Sequence, residues 1–151
     1  MSALHRQNDL DTIRELLVDP GTWAVVGLSS NRSRAAWGVS RWLTVELDKR
    51  IIPVHPKAEE VHGAPGYTSI AAIPDQAVKV VDCFVNSSRV GAVVDEAIEH
   101  RTRLGLEAVW MQIGVIDLDA AERARAAGLA VVMDTCPKVE WPRIRALGMQ
   151  R

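Results

Sequence analysis

A short loop after an apolar run is the part of this sequence best suited to hold a phosphate. The run Trp23 to Val26 ends at Gly27, and residues 28–34 then read Leu-Ser-Ser-Asn-Arg-Ser-Arg before a segment with helical spacing. The first N–H groups of a helix lack partners within it and carry the positive end of its dipole. This order therefore predicts an anion site in the loop. Its expected contacts are Gly27, Ser29, Ser30 and Asn31.

Three larger side chains follow in the same segment, and each has two interpretations. Arg32 and Arg34 either close over a pyrophosphate or are solvated loop charges. Trp37 either stacks on an adenine or packs in the core, which is the commoner place for a helical tryptophan. For the loop itself, the alternative to phosphate binding is an ordinary tight connection between a strand and a helix.

The end of the second predicted strand bears on which phosphate compound would fit. An NAD site has Gly-x-Gly-x-x-Gly after its first strand and an acid at the end of its second. Here the glycine pattern is missing, Asp48 precedes the second strand, and Lys57 stands just behind it. A cation at this point favours a ribose that carries a phosphate. The residues therefore favour NADP or coenzyme A over NAD, unless Lys57 is simply a surface lysine.

Cys136 is the candidate for covalent chemistry. It follows the last predicted strand beside Asp134 and Lys138, so a neighbouring cation would lower its pKa and favour a thiolate. Such a thiolate near a CoA thiol would support acyl or thiol-redox transfer. The alternative is a buried structural thiol. Cys83 lies inside a predicted strand and is expected in the core.

Other site chemistries find no support in the sequence. The loop lacks the glycine two residues after the serine that a hydrolase elbow needs. The four histidines, among them His5, form no helical metal-binding pair, and neither Cys-x-x-Cys nor a Walker loop occurs. We therefore expect no metal site.

The elements that would position these residues alternate along the chain. A helix after a cap at Asp9 or Asp11 comes first, and Ser87 or Ser88 and Asp117 are expected to cap later helices. Apolar runs predict strands at 23–28, 50–54, 78–85, 108–111 and 129–133. Helical spacing predicts helices at 36–47, 90–103, 118–127 and about 141–147. A short edge strand near 66–68 and a helical turn are expected between the second and third strands.

Apolar strands separated by helices predict a parallel sheet covered on both faces. We predict an α/β fold, a single Rossmann-like, doubly wound domain over residues 1–151 with five to six strands. It would comprise an N-terminal helix (1–21), a nucleotide-binding core (22–140) and a C-terminal helix (141–151). Ligands of such sheets bind at the carboxyl ends of the strands, near the point where strand order reverses.

Composition limits the partners of this domain. The 18 Lys and Arg against 19 Asp and Glu give a net charge of −1, so no broad basic surface for nucleic acid is expected. The apolar runs are too short to span a membrane, and the first residues lack a signal region. Two cysteines provide no disulfide framework. We expect a cytoplasmic protein with a small-molecule nucleotide ligand.

Many short motifs in this chain resemble those of the small single-domain CoA-binding proteins, whose fold is related to the nucleotide domain of the succinyl-CoA synthetase alpha subunit. The resemblance covers about Trp23 to Arg143. Its motifs are Val25-Val26-Gly27-x-Ser29, Pro53-Val54-His55-Pro56-Lys57, Gly63, Tyr67-x-Ser69-Ile70, Ile73-Pro74, Val81-Asp82-x-Phe84, Val109-Trp110-Met111-Gln112-x-Gly114-Val115, Ala127-Gly128-Leu129 and Met133-Asp134-x-Cys136-x-Lys138-x-Glu140.

The resemblance implies roles for several residues. The loop 27–31 would hold the phosphates, Lys57 would lie near the 3′-phosphate and ribose, and residues from Phe84 to Asn86 would flank adenine or pantetheine. The family usually has Asn in place of His55 and Arg in place of Asn86, so one phosphate partner is lost here. Arg89 is a possible substitute. Gln112 either contacts the ligand or shapes a turn.

Three hypotheses for function follow. The leading one is a binding domain for coenzyme A or an acyl-CoA without catalysis of its own, working with a partner enzyme or as a homodimer. The second is a CoA-dependent acyl or thiol-redox enzyme that uses Cys136. The third is an NADP-binding protein, which the missing glycine pattern disfavours.

Overall fold

The computed structural model describes residues 8–148. Residues 1–7 and 149–151, which include His5 and the ends of the predicted terminal segments, lie outside the described residues. The helices are α1 (Leu10–Val18), α2 (Ala35–Leu47), α3 (Ser87–Glu99), α4 (Arg101–Leu104), α5 (Leu118–Ala126) and α6 (Pro137–Ala146). The strands are β1 (Thr22–Val26), β2 (Arg50–Val54), β3 (Val80–Cys83), β4 (Ala108–Met111) and β5 (Ala130–Val132).

The five strands form one parallel sheet in the order β2-β1-β3-β4-β5. The register pairs Val26 of β1 with Val54 on one side and with Cys83 on the other, so three strands end at the same level. Strands β1 to β4 are almost wholly buried, as expected where both faces of a parallel sheet are covered. The predicted doubly wound, Rossmann-like α/β fold is confirmed.

Each face of the sheet has its own hydrophobic core. Helices α1, α2 and α6 cover one face, where the rings of Trp23 and Trp110 meet at 5.6 Å between centroids. Helices α3 and α5 cover the other face, and small residues such as Ala97 and Ala121 are buried in its core. Among residues 8–148, no helix combines the length and apolar character needed to cross a membrane.

The predicted sixth strand near residues 66–68 does not form. Tyr67 makes a single parallel bridge to Val54, with Tyr67 N–H donating to Pro53 O (3.0 Å) and His55 N–H donating to Tyr67 O (2.9 Å). A 3-10 turn, Ile70–Ala72, follows almost at once and leaves no room for a longer ladder. The expected helical turn is thus present, and the sheet has five strands within the part of the chain that the structure describes.

Two predicted helix starts are wrong for identifiable reasons. Helix α3 begins at Ser87 behind Asn86, because the Ser87 hydroxyl bonds instead to the loop after β4, accepting from Ile116 N–H (2.9 Å). Helix α6 begins at Pro137 rather than near Trp141, since proline suits a first turn whose N–H groups need no helical partner. The predicted helix 90–103 is divided, because α3 ends at Glu99 and α4 follows.

The carboxylate caps are confirmed. Asp9 accepts a hydrogen bond from Thr12 N–H at the start of α1, and Asp117 accepts one from Ala120 N–H at the start of α5. Each satisfies one of the N–H groups that a helix leaves without a partner.

Candidate functional site

The site described here lies where β1 and β3 are neighbours in the sheet. The connection from β1 enters α2 on one face, and the connection from β3 enters α3 on the other. The two loops therefore diverge above the strand ends. This point between β1 and β3, called the crevice, is the usual ligand position in this sheet order.

Gly27 brings the two loops into contact. Its N–H donates to Val54 O (2.7 Å), and its φ of 98° lies in the region that glycine adopts without strain. A Cβ at this position would lie 2.3 Å from the carbonyl oxygen of Phe84. Only glycine lets the turn after β1 lie against the end of β3, so Gly27 and Phe84 of the predicted site are adjacent.

The loop after Gly27 is shaped by its own side chains. Asn31 Oδ1 accepts from the N–H (3.0 Å) and hydroxyl (2.7 Å) of Ser33, and Ser29 Oγ accepts from Asn31 N–H (3.2 Å). The side chains of Ser29 and Asn31 thus stabilise the conformation of the loop. Ser30 is exposed, and its N–H points out of this network.

The helices on either side of the crevice begin without side-chain caps. Arg34 precedes α2 and Asn86 precedes α3, and neither side chain bonds to a first-turn N–H. Neither first turn contains an acidic residue, whereas α1 and α5 have their aspartate caps. The positive ends of the two helix dipoles therefore face the crevice without compensation from a cap.

The side chain of Arg32 lies over an aromatic ring. Its guanidinium lies 5.1 Å from the centre of the Trp37 ring, a cation–π distance. The Trp37 ring also packs against His62, at 4.8 Å between ring centroids. Trp37 is half-buried against the core of the α2 face. Arg32 and Arg34 both remain exposed at the mouth of the crevice.

His55 forms the turn that presents Lys57. Its Nδ1 accepts from Lys57 N–H (3.1 Å), and its carbonyl accepts from Ala58 N–H (2.8 Å). Asparagine commonly accepts from the N–H two residues on in this way. The histidine keeps that acceptor where the family usually has Asn, and the Lys57 side chain is exposed at the end of β2.

Glu59 also contacts the loop after β1, which was not predicted from the sequence. Its Oε1 accepts from Ser30 N–H (3.0 Å), the loop amide expected to face a phosphate. This bond is the main cause that lowers the pKa of Glu59, and the charges of Lys57 and His55 act in the same direction. Glu59 therefore connects the loop after β1 with the cationic turn after β2. An acid two residues after Lys57 was the available signal.

The remaining predicted contacts divide into exposed and buried groups. Asn86 and Arg89 are exposed at the start of α3, with Arg89 N–H donating to Asn86 O (2.9 Å). Gln112 is buried, and its amide donates to Asp82 Oδ1 (2.7 Å). Gly114 N–H donates to Asp134 Oδ1 (2.7 Å), which shapes the loop after β4. The Gln112 side chain thus forms a buried hydrogen bond within the fold.

Asp82 and Cys136 belong to the buried polar interior near this edge. Asp82 is completely buried, burial raises its pKa to about 7, and its Oδ2 has no hydrogen-bond partner among residues 8–148. Cys136 precedes α6 and is 7% exposed. Burial raises the pKa of its thiol more than the N–H groups of Lys138 and Val139 lower it. The expected lowering of this pKa is therefore wrong in sign.

A separate cleft of about 410 Å³ lies beside the edge strand β2. It is lined by residues such as Lys49, Arg50, His62 and Tyr67 and does not include the predicted phosphate loop. Burial lowers the pKa of Lys49 to about 8. Across residues 8–148, no three His, Cys, Asp or Glu side chains converge as metal ligands would.

Comparisons with known proteins agree with this fold. The family model described as "CoA binding domain" matches residues 21–142. The uncharacterized protein YneT of Bacillus subtilis (strain 168) is 31% identical over 127 residues, which cover 84% of this chain and 90% of that protein. A hypothetical protein from Pyrococcus horikoshii OT3 has a TM-score of 0.80 and 35% identity, with 93% of each chain covered.

A larger enzyme contains a similar domain. The dinucleotide-forming acetyl-coenzyme A synthetase 1 of Ca. Korarchaeum cryptofilum has a TM-score of 0.64 and 26% identity, over 78% of this chain and 26% of the synthetase chain. This likeness is consistent with the predicted relation to the nucleotide domain of the succinyl-CoA synthetase alpha subunit. Because the family model matches most of its length and the fold is shared, the chain belongs to the family of CoA binding domains.

Proposed function

We propose that this protein binds coenzyme A or an acyl-CoA in the crevice between β1 and β3 and catalyses no reaction itself. The observation that carries the proposal is the pair of uncapped helix starts on either side of the crevice, at Arg34 and Asn86. Uncompensated helix N-termini attract phosphate groups. The family membership makes a CoA compound the natural source of those phosphates.

The proposed pose assigns the pyrophosphate to the loop 27–31 and the 3′-phosphate to Lys57. The Gly27 turn allows close approach of the loop backbone, and Ser30 N–H is the amide that points outward. Phe84 and the following residues would flank adenine or pantetheine, with Arg89 as an additional cation. Arg32 and Arg34 are exposed at the mouth and are available to a pyrophosphate.

Binding without catalysis is favoured by the state of Cys136. A thiol attacks as its thiolate, and burial raises the pKa of this one. A separate enzyme, or a second copy of this chain, would then supply any chemistry on the acyl group. We favour CoA over NADP as the ligand because of the family match, since Lys57 alone suits either phosphorylated ribose.

Calorimetric titration with CoA, 3′-dephospho-CoA, NADP and NAD tests this proposal. We expect CoA to bind most tightly and the dephospho compound about fivefold to tenfold more weakly, because an exposed charge-assisted contact contributes about 1 kcal/mol. Failure of CoA to bind at about millimolar concentration, where only about −4 kcal/mol is required, would contradict the proposal. Tighter binding of NADP than CoA would replace it with the nicotinamide alternative.

A further inference from the structure

The carboxylate of Glu59 occupies a position where the proposed function requires a phosphate. Its Oε1 lies 3.0 Å from the backbone nitrogen of Ser30, in the loop after β1. The bond also dominates the lowering of the Glu59 pKa, so the group is held as an anion at neutral pH. A carboxylate and a phosphate oxygen are acceptors of the same kind for such an N–H.

The segment that carries Glu59 is fixed at several points. A Cβ on Gly66 would lie 2.2 Å from the Glu59 carbonyl oxygen, so the two backbones are in close contact. Farther along, His62 Nε2 lies 3.0 Å from Ser40 Oγ and 3.1 Å from Trp37 O, which ties the segment to α2. The same helix begins at the phosphate loop. The approach of Glu59 to Ser30 is thus built into the packing of this segment on α2.

We propose that Glu59 is an internal competitor for the phosphate of the ligand and thereby sets the affinity and selectivity of the site. This inference rests on the proposed function. One N–H cannot serve the carboxylate and a phosphate at full strength, and the two anions repel each other at contact distance. The carboxylate must therefore swing away when the ligand enters. Only its flexible side chain has to move, because the backbone is held by Gly66.

Lys57 is affected by the same event. Its charge acts on Glu59 in the ligand-free protein, together with that of His55. When a phosphate takes the loop and the carboxylate swings away, the charge of Lys57 becomes available to the ligand. A ligand with a diphosphate and a ribose phosphate engages the loop and Lys57 together, whereas a single small phosphate engages only one of them. The competitor therefore selects for phosphorylated dinucleotide-like ligands such as CoA over inorganic phosphate.

Titration calorimetry of Glu59→Gln against Glu60→Gln tests the inference. Both variants remove one negative charge from the same segment, but among the described residues only Glu59 of the two accepts a hydrogen bond from the loop. We expect E59Q to bind CoA about fivefold more tightly than wild type, and E60Q to bind within about twofold of wild type, because exposed charges at a distance are screened. Competition by inorganic phosphate should strengthen in E59Q alone.

The possible outcomes separate this inference from the proposed function. If wild type and E60Q bind CoA and E59Q binds it equally or more weakly, Glu59 is not a competitor, although the protein binds CoA. If none of the three proteins binds CoA, the proposed function fails and the inference fails with it. The Ser30 amide resonance gives a second measurement. An identical Ser30 amide shift in wild type and Glu59→Ala, which has no acceptor there, would show that the contact is absent and would overturn the inference directly.

Discussion

The carbonyl oxygen of Phe84 fills the space that a side chain on Gly27 would need, since a Cβ there would lie 2.3 Å from that oxygen. This contact joins the ends of β1 and β3, the two strands that flank the crevice. The glycine is therefore required by packing as well as by its φ of 98°.

Replacing Gly27 by alanine should destabilise the fold. Either the loop or β3 must shift to remove the clash, and the backbone is strained at this φ, so we expect a loss of at least about 2 kcal/mol in the free energy of unfolding. Urea denaturation measures it. Gly38→Ala is the control, because a Cβ at Gly38 meets nothing within 4 Å and alanine favours the helix by about 1 kcal/mol. Equal stabilities of G27A and wild type would contradict the contact.

Burial of Asp82 should make stability depend on pH. Its pKa is about 7 in the folded protein, against 3.8 as the ordinary value. Between these pH values the folded state holds more protons than the unfolded state, so the free energy of unfolding falls as pH rises. The total change attributable to Asp82 is at most about 4 kcal/mol over this range. The near neighbours of Asp82 are Gln112, Cys83 and Cys136. None of them carries a full charge at neutral pH that would stabilise the Asp82 carboxylate.

The variant Asp82→Asn removes this titration and keeps a neutral group that can accept from Gln112. Urea denaturation of wild type and D82N at about pH 5 and about pH 8 should show that the stability advantage of D82N grows with pH. Glu60→Gln, an exposed change, is the control. Parallel pH profiles for wild type and D82N would mean that Asp82 has no raised pKa.

Cys136 should be unreactive in the folded protein. The thiol is 7% exposed, and burial raises its pKa, so little thiolate forms at neutral pH. We expect iodoacetamide to label the native protein at least about 100-fold more slowly than the denatured protein, because labelling requires opening of the fold. Cys83→Ala isolates the signal of Cys136. Rapid labelling that CoA prevents would instead favour the acyl or thiol-redox enzyme.

The fold was predictable because its signals are local and consistent. Five short apolar runs separated by helical patterns specify a doubly wound sheet, and the carboxylates of Asp9 and Asp117 mark two helix starts. The errors occur where distant contacts override local preference. Ser87 resembles a cap, but its hydroxyl bonds to Ile116 N–H, a residue 29 positions away.

The meeting of the predicted site loops could be foreseen from the sequence, but the hydrogen bonds among them could not. Strand ends meet at one edge in any parallel sheet, so the convergence of the loop after β1 with Lys57 follows from topology. Glu59 and Ser30 are 29 residues apart in the sequence. Their contact depends on how the segment after β2 packs on α2. The inward turn of Gln112 likewise depends on a buried carboxylate from another strand. Neither contact leaves a periodic or compositional pattern.

Lys57 should recognise the 3′-phosphate of CoA and little else. Lys57→Ala is expected to weaken CoA binding about fivefold to tenfold while leaving the affinity for 3′-dephospho-CoA within about twofold, because the lysine contact exists only when the phosphate is present. Titration of both ligands into both proteins forms a double-mutant cycle. Arg50→Ala provides a matched control, since this exposed cation lies at the opposite end of β2. If K57A weakens both ligands equally, Lys57 acts through the general charge of the site and not through the ribose phosphate.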